Sequence, residues 1–236
     1  MAAPPSSHGS NDLQHLHSSY AFSVDVWPIA VQCFLQDNPI FKKYGVPSLP
    51  PPPKYSNPLK MFCYLITFQA ISNSVCEKIW DRFVRAVNKR MFDNGIYDSD
   101  VWRPEILHSF AFDELYGKEG VGLSKRKITA IHNIATYIQE HPSIFAAGMD
   151  SQHIIKDISK SVKGVGPFVV QHFLKENGRM DITTHDDLVF RRGVQKLFRL
   201  EKTPTVSRSK KLIKWSRFQT IGSSYCFHIA HLPVAI

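Results

Sequence analysis

Apolar residues recur at helical spacing along almost the whole chain, and this pattern constrains the fold more than any other feature. One set recurs every four residues and so shares a helix face: Val75, Ile79, Phe83 and Val87. A second helix is predicted to begin after Ser124 and to end before Pro142. The alternating pattern typical of strands is nearly absent, apart from a weak instance at residues 181–184. We therefore predict an all-α fold.

Prolines, asparagines and glycines divide the chain into further segments. Helices are predicted over residues 25–35, 58–71, 104–110, 152–161, 167–176, 188–198 and 207–229. Asn57 is the expected N-cap of the second of these, and Pro58 its first residue. Residues 50–53 are all proline and indicate a rigid connector, whereas residues 1–20 are predicted to form a disordered tail. We expect residues 21–236 to form two helical lobes flanking a cleft.

Charge and cysteine content narrow the class of protein. The formal net charge is +9, and residues 151–220 carry all of it, with 15 basic and six acidic side chains. Such a concentration favours a polyanionic partner, although solvated helix surfaces are the alternative. The longest largely apolar run, which includes one threonine, has eight residues, too few to span a membrane, and no secretory signal is visible. The four cysteines lack metal-cluster spacing, so we expect a soluble, intracellular protein with reduced thiols.

Two helices are predicted to meet at a glycine-rich turn within residues 154–174. The turn is Val162-Lys163-Gly164-Val165-Gly166, and Pro167 begins the next helix. Glycine allows positive φ and lets another molecule approach the backbone closely. The N–H groups at the start of a helix can bind an anion such as a DNA phosphate. A purely structural turn is the more frequent explanation for Gly-x-Gly on its own.

Five motifs, in order along the chain, resemble the helix-hairpin-helix (HhH-GPD) DNA glycosylases, and among these the 3-methyladenine DNA glycosylases. They are Leu65–Ser72, Gly122-Leu123-Ser124-x-x-Lys127, Val162–Phe168, Thr184–Gly193 and Trp215-Ser216-Arg217-Phe218. The resemblance extends over about residues 37–227. It implies that residues 21–236 form one glycosylase domain, with residues 154–174 as its hairpin. It also implies a monomer that acts on damaged double-stranded DNA in base excision repair, in the nucleus if the source is eukaryotic.

The resemblance identifies Asp187 as the catalytic residue. Breaking an N-glycosidic bond develops positive charge on the sugar, which a fixed carboxylate stabilises while it orients the attacking water. Asp is also a preferred N-cap, so we expect Asp186 to cap the following helix and Asp187 to act in catalysis. Bifunctional members have a lysine two residues after the second hairpin glycine, where this chain has Phe168. We therefore predict a monofunctional glycosylase without AP lyase activity.

The resemblance assigns further roles. DNA contacts are expected from Gln69, Lys127, Lys163, Gly164, Val165 and Gly166. The base pocket is expected to include Phe168, His172, Trp215 and Phe227. A structural monovalent cation is expected on the backbone carbonyls of Lys160, Val162 and Val165. No other cofactor is expected, and in particular no iron–sulfur cluster, because its four closely spaced cysteines are missing.

Alkylated purines, specifically 3-methyladenine and 7-methylguanine, are the expected substrates. They are cationic, so they stack on aromatic rings and leave without a general acid. Ala70, where some relatives insert a bulky wedge, and Leu188, where an aromatic residue often stands, depart from the family pattern. These departures leave open a glycosylase for uracil, deaminated adenine or a mismatched base. A DNA-binding protein without catalytic activity is the third hypothesis.

Overall fold

The computed structural model describes residues 26–45, 56–146, 148–215 and 218–233, except the side chains of Val26 and Asn73. Within these ranges the regular elements are helices, and the one β-bridge, Tyr116 to Leu123, is isolated. The predicted all-α class is confirmed. The predicted tail (residues 1–20) and the proline run (residues 50–53) lie outside the described residues.

The helices follow one another with short connections. The first three are α1 (Val26–Asp37), α2 (Pro58–Thr67) and α3 (Asn73–Asp93), with a 3-10 helix, Pro39–Tyr44, after α1. Next come α4 (Pro104–His108), α5 (Phe112–Leu115), α6 (Lys125–Glu140), α7 (Ser151–Ser161) and α8 (Pro167–Glu176). The last three are α9 (Leu188–Leu197), α10 (Val206–Leu212) and α11 (Gln219–His231). No helix in the described ranges is long and apolar enough to cross a membrane.

Capping residues set the helix starts that the sequence predicted. The Asn57 side chain accepts a hydrogen bond from the Lys60 N–H at 2.9 Å, and Pro58 is the first residue of α2. Ser124 likewise accepts from the Lys127 N–H at 3.4 Å and begins α6. Both predicted N-caps are confirmed, because each side chain satisfies an N–H that has no acceptor within the helix.

Two predicted helix ends are wrong. Helix α2 stops at Thr67 instead of continuing to residue 71, because the Thr67 carbonyl accepts from the Lys127 ammonium at 2.6 Å. The predicted helix 207–229 is in fact α10 and α11, separated by residues 213–218. Phe218, immediately before α11, has a left-handed backbone with φ of 51° that a continuous helix cannot contain.

The chain divides into two compact units, residues 53–173 and residues 1–52 with 174–236. In the unit formed by residues 53–173, Phe62 stacks on Phe173 with ring centroids 4.2 Å apart. This aromatic pair belongs to a core that includes the inward face of α3, where Phe83 and Val87 are fully buried. Val75, predicted on that same face, is 48% exposed at the start of the helix.

The other unit has its core between α1, α9 and α11. The fully buried rings of Phe34, Phe190 and Tyr225 lie in it. Helices α9 and α11 touch at Gly193, where an added Cβ would lie only 1.9 Å from the Cys226 carbonyl oxygen. Glycine is therefore required for this close packing, which fixes the start of α9 against α11.

Candidate active site and nucleic-acid interface

Asp187 stands at the start of α9 and has a defined local geometry. One carboxylate oxygen accepts from the Val189 N–H at 2.6 Å and from the Phe190 N–H at 3.1 Å. The residue is 8% exposed, and its own N–H donates to the Thr184 carbonyl at 3.0 Å. Backbone N–H groups and the positive end of the helix dipole both favour the ionised carboxylate. The position suits a fixed negative charge.

The expectation that Asp186 caps α9 is wrong. Asp187 itself is the N-cap of α9, whereas Asp186 is exposed. The side chain of an N-cap accepts from the amides two and three residues further on, here those of Val189 and Phe190. Asp187 is at that distance from them, and Asp186 is one residue too early. Capping is therefore part of the role of Asp187 and does not separate it from chemistry.

The segment before Asp187 is held by hydroxyl groups from α11. Thr220 donates its hydroxyl to the Arg179 carbonyl at 2.6 Å and accepts from the Ile182 N–H at 3.2 Å. Ser223 donates to the Ile182 carbonyl at 3.1 Å. These bonds supply backbone partners to a segment where the sequence pattern weakly indicated a strand and where the structure has none. They also fix the approach of the chain to the candidate catalytic residue.

A lysine that the sequence did not single out lies against Phe227, in the same compact unit as Asp187. The Lys175 ammonium, near the end of α8, is 4.4 Å from the centroid of the Phe227 ring. Burial lowers the pKa of Lys175, and the carboxylates of Glu176 and Asp187 oppose that shift. Phe227 in turn makes an edge contact with Phe190 at 6.4 Å. Sequence spacing gives no signal for the contact between Lys175 and Phe227, since these residues are 52 positions apart.

His185 has a structural environment. Its Nδ1 lies 3.0 Å from the Ser209 hydroxyl, and its ring packs edge-on against Phe190 at 5.5 Å. Burial, together with the charge of Lys210, lowers the pKa of His185 to about 4. The imidazole is therefore neutral near pH 7 and is unsuited to holding a phosphate by charge.

Trp215, predicted in the base pocket, packs against core rings. Its centroid lies 5.6 Å from that of Phe34 and 6.2 Å from that of Phe190. A Cβ at Gly222 would approach the indole to 2.6 Å, so the ring rests directly on the backbone of α11. Residues 216 and 217 of the same motif lie outside the described residues.

The hairpin between α7 and α8 has the predicted turn but uses its two glycines differently. Gly164 has φ of 96°, and a Cβ there would lie 2.8 Å from the Cβ of Ala130 on α6. Gly164 is thus explained by packing within the protein. Gly166 does not have a positive φ, and a Cβ added there would meet no atom within 4 Å. Of the two hairpin glycines, Gly164 therefore uses the positive φ that glycine allows, and Gly166 does not.

The hairpin residues next to these glycines have distinct roles. Val165 is buried and its N–H donates to the Val162 carbonyl at 3.1 Å, so this amide is engaged within the turn. Lys163 is exposed, and its carbonyl accepts from the Asn133 side chain at 3.0 Å. Gly166 and Lys163 are therefore the hairpin residues best placed to meet an outside phosphate, by close approach and by charge respectively.

A cavity of about 610 Å³ in the same unit brings together several residues predicted at separate motifs. It is lined by Gln69, Ala70, Lys127, Gly164 and Phe168, among others. Ala70 has φ of 59°, which turns the chain sharply between α2 and α3. Lys127 stabilises this turn, because its ammonium binds the Thr67 carbonyl at the end of α2. The Lys127 ammonium therefore has a structural role within this unit.

Phe168 and His172 are neighbours one turn apart on α8. Their ring centroids lie 4.4 Å apart, and both residues are half-buried. Phe168 also lines the cavity described above. The predicted pocket residues therefore fall into two local groups, Phe168 with His172 in one compact unit and Phe227 with Trp215 in the other.

The carbonyl ligands predicted for a monovalent cation lie at the end of α7 and in the turn. Lys160 is in the last turn of α7, where carbonyl groups receive no hydrogen bond from an N–H of the same helix. The Val162 carbonyl accepts a hydrogen bond from the Val165 N–H. These oxygens are chemically suited to a monovalent cation. Among the described residues, no group of three or more His, Cys, Asp or Glu is arranged to hold a metal ion.

Comparison with known proteins gives a family match and several structural likenesses. The family model described as HhH-GPD superfamily base excision DNA repair protein matches residues 64–217. No curated protein sequence matches the chain.

Three solved structures of 3-methyladenine glycosylases are similar in fold. One, from Schizosaccharomyces pombe in complex with abasic DNA, is 21% identical with a TM-score of 0.61, covering 80% of this chain and 88% of that one. The DNA-3-methyladenine glycosidase of Bacillus halodurans is 19% identical with a TM-score of 0.64 and coverage of 90% and 93%. The enzyme of Archaeoglobus fulgidus is 18% identical with a TM-score of 0.57 and coverage of 88% and 76%.

Proposed function

The chain belongs to the HhH-GPD superfamily of base excision DNA repair proteins, and on that premise we propose that it is a monofunctional DNA glycosylase with Asp187 as its catalytic residue. The observation that carries the proposal is the buried Asp187 carboxylate, held by two backbone N–H groups at the start of α9. A carboxylate fixed in this way can stabilise positive charge without reorganising during the reaction.

The proposed reaction is hydrolysis of the bond between a damaged base and its deoxyribose. The base leaves with the bonding electrons, the sugar passes through an oxocarbenium-like transition state beside Asp187, and water adds to C1′. Asp187 accepts the proton of that water directly or orients the water for its loss. The products are the free base and an intact abasic site. Phe168, at the family position of the lysine nucleophile, offers no amine.

Alkylated purines, represented by 3-methyladenine and 7-methylguanine, are the first proposed substrate class. The names of the three structural neighbours support this class. Phe168 and His172, neighbours on α8, are half-buried rings suited to stack on an extruded base, and Phe227 in the other compact unit is a half-buried ring with the same property. We further propose that double-stranded DNA containing the lesion binds a monomer at the hairpin, which holds a monovalent cation on its carbonyls.

A second candidate, removal of a neutral lesion such as uracil or deaminated adenine, is favoured by one observation. The ring of Phe227 already has the Lys175 ammonium beside it. That cation occupies the kind of aromatic contact that a cationic base would use.

A single-turnover assay tests the proposal. DNA containing 3-methyladenine or 7-methylguanine, and a parallel DNA panel containing neutral lesions, is incubated with excess wild type or with Asp187→Asn. We expect base release by wild type and a loss of at least about 100-fold in the variant. Release of no base from any lesion, with DNA binding intact, would instead favour the non-catalytic hypothesis. Borohydride trapping of a covalent adduct, or nicking of the abasic strand, would contradict monofunctional chemistry.

A further inference from the structure

Lys175 has an environment that its place in the amino-acid sequence does not suggest. It is half-buried near the end of α8, in the same compact unit as the candidate catalytic carboxylate and against the Phe227 ring. A lysine side chain at such a place loses hydration and must gain compensating contacts. The groups around the Lys175 ammonium therefore show which interactions offset its loss of hydration.

Three groups compensate the charge. The ammonium is 4.4 Å from the centre of the Phe227 ring, within the range of a cation–π interaction. The carboxylates of Glu176 and Asp187 both attract it. Phe227 is thus paired with a cation of the protein itself, and Asp187 has a nearby opposite charge.

This arrangement changes what a base beside Phe227 and Asp187 would meet. Without Lys175, an aromatic ring and a carboxylate would together attract a positively charged base. With Lys175, the ring contact is already used, and a base with a fixed positive charge is repelled at short range. A neutral base with a carbonyl oxygen or ring nitrogen meets a hydrogen-bond donor there instead.

We propose that Lys175 is a specificity-determining residue, which shifts the preference of the site away from bases with a fixed positive charge and towards neutral bases with a hydrogen-bond acceptor. The proposal rests on the glycosylase activity proposed for Asp187 but not on the choice of lesion. Whichever lesion is removed fastest, Lys175 raises the rate for hypoxanthine, which carries a carbonyl acceptor, relative to the rate for 7-methylguanine.

The test compares the ratio of two substrates' rates between wild type and a variant, so that the difference in intrinsic reactivity between the two bases cancels. Single-turnover rates are measured for duplexes containing 7-methylguanine or hypoxanthine, with wild type and with Lys175→Met, which keeps the chain length and removes the charge. We expect the ratio of the 7-methylguanine rate to the hypoxanthine rate to rise about tenfold in Lys175→Met. Lys175→Arg, which keeps the charge, should retain the wild-type ratio.

Matched variants separate charge at this site from charge in general. Lys202→Met removes one positive charge from an exposed position in the same unit and should leave the ratio unchanged. If Lys175→Met is poorly folded, Lys175→Gln removes the same charge while keeping a polar end. A structural role alone would lower both rates together and leave their ratio as in wild type.

The outcomes are distinct for the two proposals. Release of both bases by wild type, with the same ratio in Lys175→Met or Lys175→Gln, would overturn the role of Lys175 and leave the glycosylase proposal standing. A rise in the ratio in Lys202→Met equal to that in Lys175→Met would also overturn it. Release of neither base by any folded variant would overturn both proposals.

Discussion

Replacing Asp187 by alanine and by asparagine should separate its two roles, capping and catalysis. Both replacements remove the negative charge that the proposed reaction needs. Only alanine also removes the oxygen that accepts from the Val189 and Phe190 N–H groups. Activity should therefore be lost in both variants, whereas stability should fall mainly in the alanine variant.

The expected loss of stability follows from the contacts. Replacing an N-cap Asp by alanine costs about 1 kcal/mol, because the first amides of the helix lose their acceptor. Phe190 is fully buried, so its unpaired N–H adds a further penalty of about 1 kcal/mol. Asn is as good an N-cap as Asp and should lose only the helix-dipole contribution of about 0.3–1 kcal/mol.

Urea unfolding, followed by circular dichroism, measures these differences, and single-turnover base release measures activity on the same preparations. We expect Asp187→Ala to be about 1–2 kcal/mol less stable than Asp187→Asn, with base release at least about 100-fold below wild type in both. Asp186→Ala is the matched control, because this neighbouring acid is exposed and caps nothing.

The reasoning would be refuted if Asp187→Asn released bases at the wild-type rate, since the carboxylate charge would then be dispensable. Equal stability of the alanine and asparagine variants would show that the two N–H contacts contribute little. A loss of activity in Asp186→Ala as large as that in Asp187→Asn would show that the reaction does not depend on Asp187 in particular. The three results test, in turn, the charge of Asp187, its two N–H contacts and the choice of Asp187 over Asp186.

Four further predictions follow from other contacts. Gly193→Ala should lower the free energy of unfolding by about 3 kcal/mol, because its Cβ would clash with the Cys226 carbonyl, whereas Gly166→Ala should be nearly neutral by the same urea measurement. The free energy of unfolding of wild type should fall as the pH drops from about 6.5 to 4, because the unfolded state protonates His185 while the folded state keeps its pKa near 4. His185→Asn should remove about 1–2 kcal/mol of that fall in pH-dependent unfolding, after allowance for solvent screening of a half-exposed ring. Lys127→Met should lower the melting temperature by freeing the end of α2, with little change in the salt dependence of DNA binding, because its ammonium binds the Thr67 carbonyl. Binding of wild type to DNA, measured by fluorescence anisotropy, should weaken steeply as salt rises, and a flat profile would contradict binding through phosphates.

Features that depend on neighbouring residues along the chain could be predicted from the sequence. The N-caps Asn57 and Ser124 bond to amides three residues away, so the residue type and its position were sufficient. The same holds for α8, which begins at Pro167 and ends at Glu176 as predicted. Local rules of capping and proline placement explain these elements.

Features that depend on distant residues could not be predicted in this way. The end of α2 is set by Lys127, which is 60 residues further along, and the segment before Asp187 is held by Thr220. The break before α11 depends on the left-handed backbone of Phe218, a conformation that its residue type disfavours. In each case tertiary contacts outweighed the local preference.

The cap of α9 was expected at Asp186, but Asp187 both caps the helix and carries the charge that the proposed reaction needs. The amides that satisfy an N-cap also stabilise a carboxylate in its ionised form, so the structural contact prepares the charge that the proposed reaction needs. The same charge would attract any cationic base, and Asp187 alone therefore cannot distinguish a cationic base from a developing cation on the sugar. Lys175, beside Phe227, can reduce the attraction for the base while the carboxylate stays in place. Selectivity by charge can then change through substitution at residue 175 without any change to the catalytic residue.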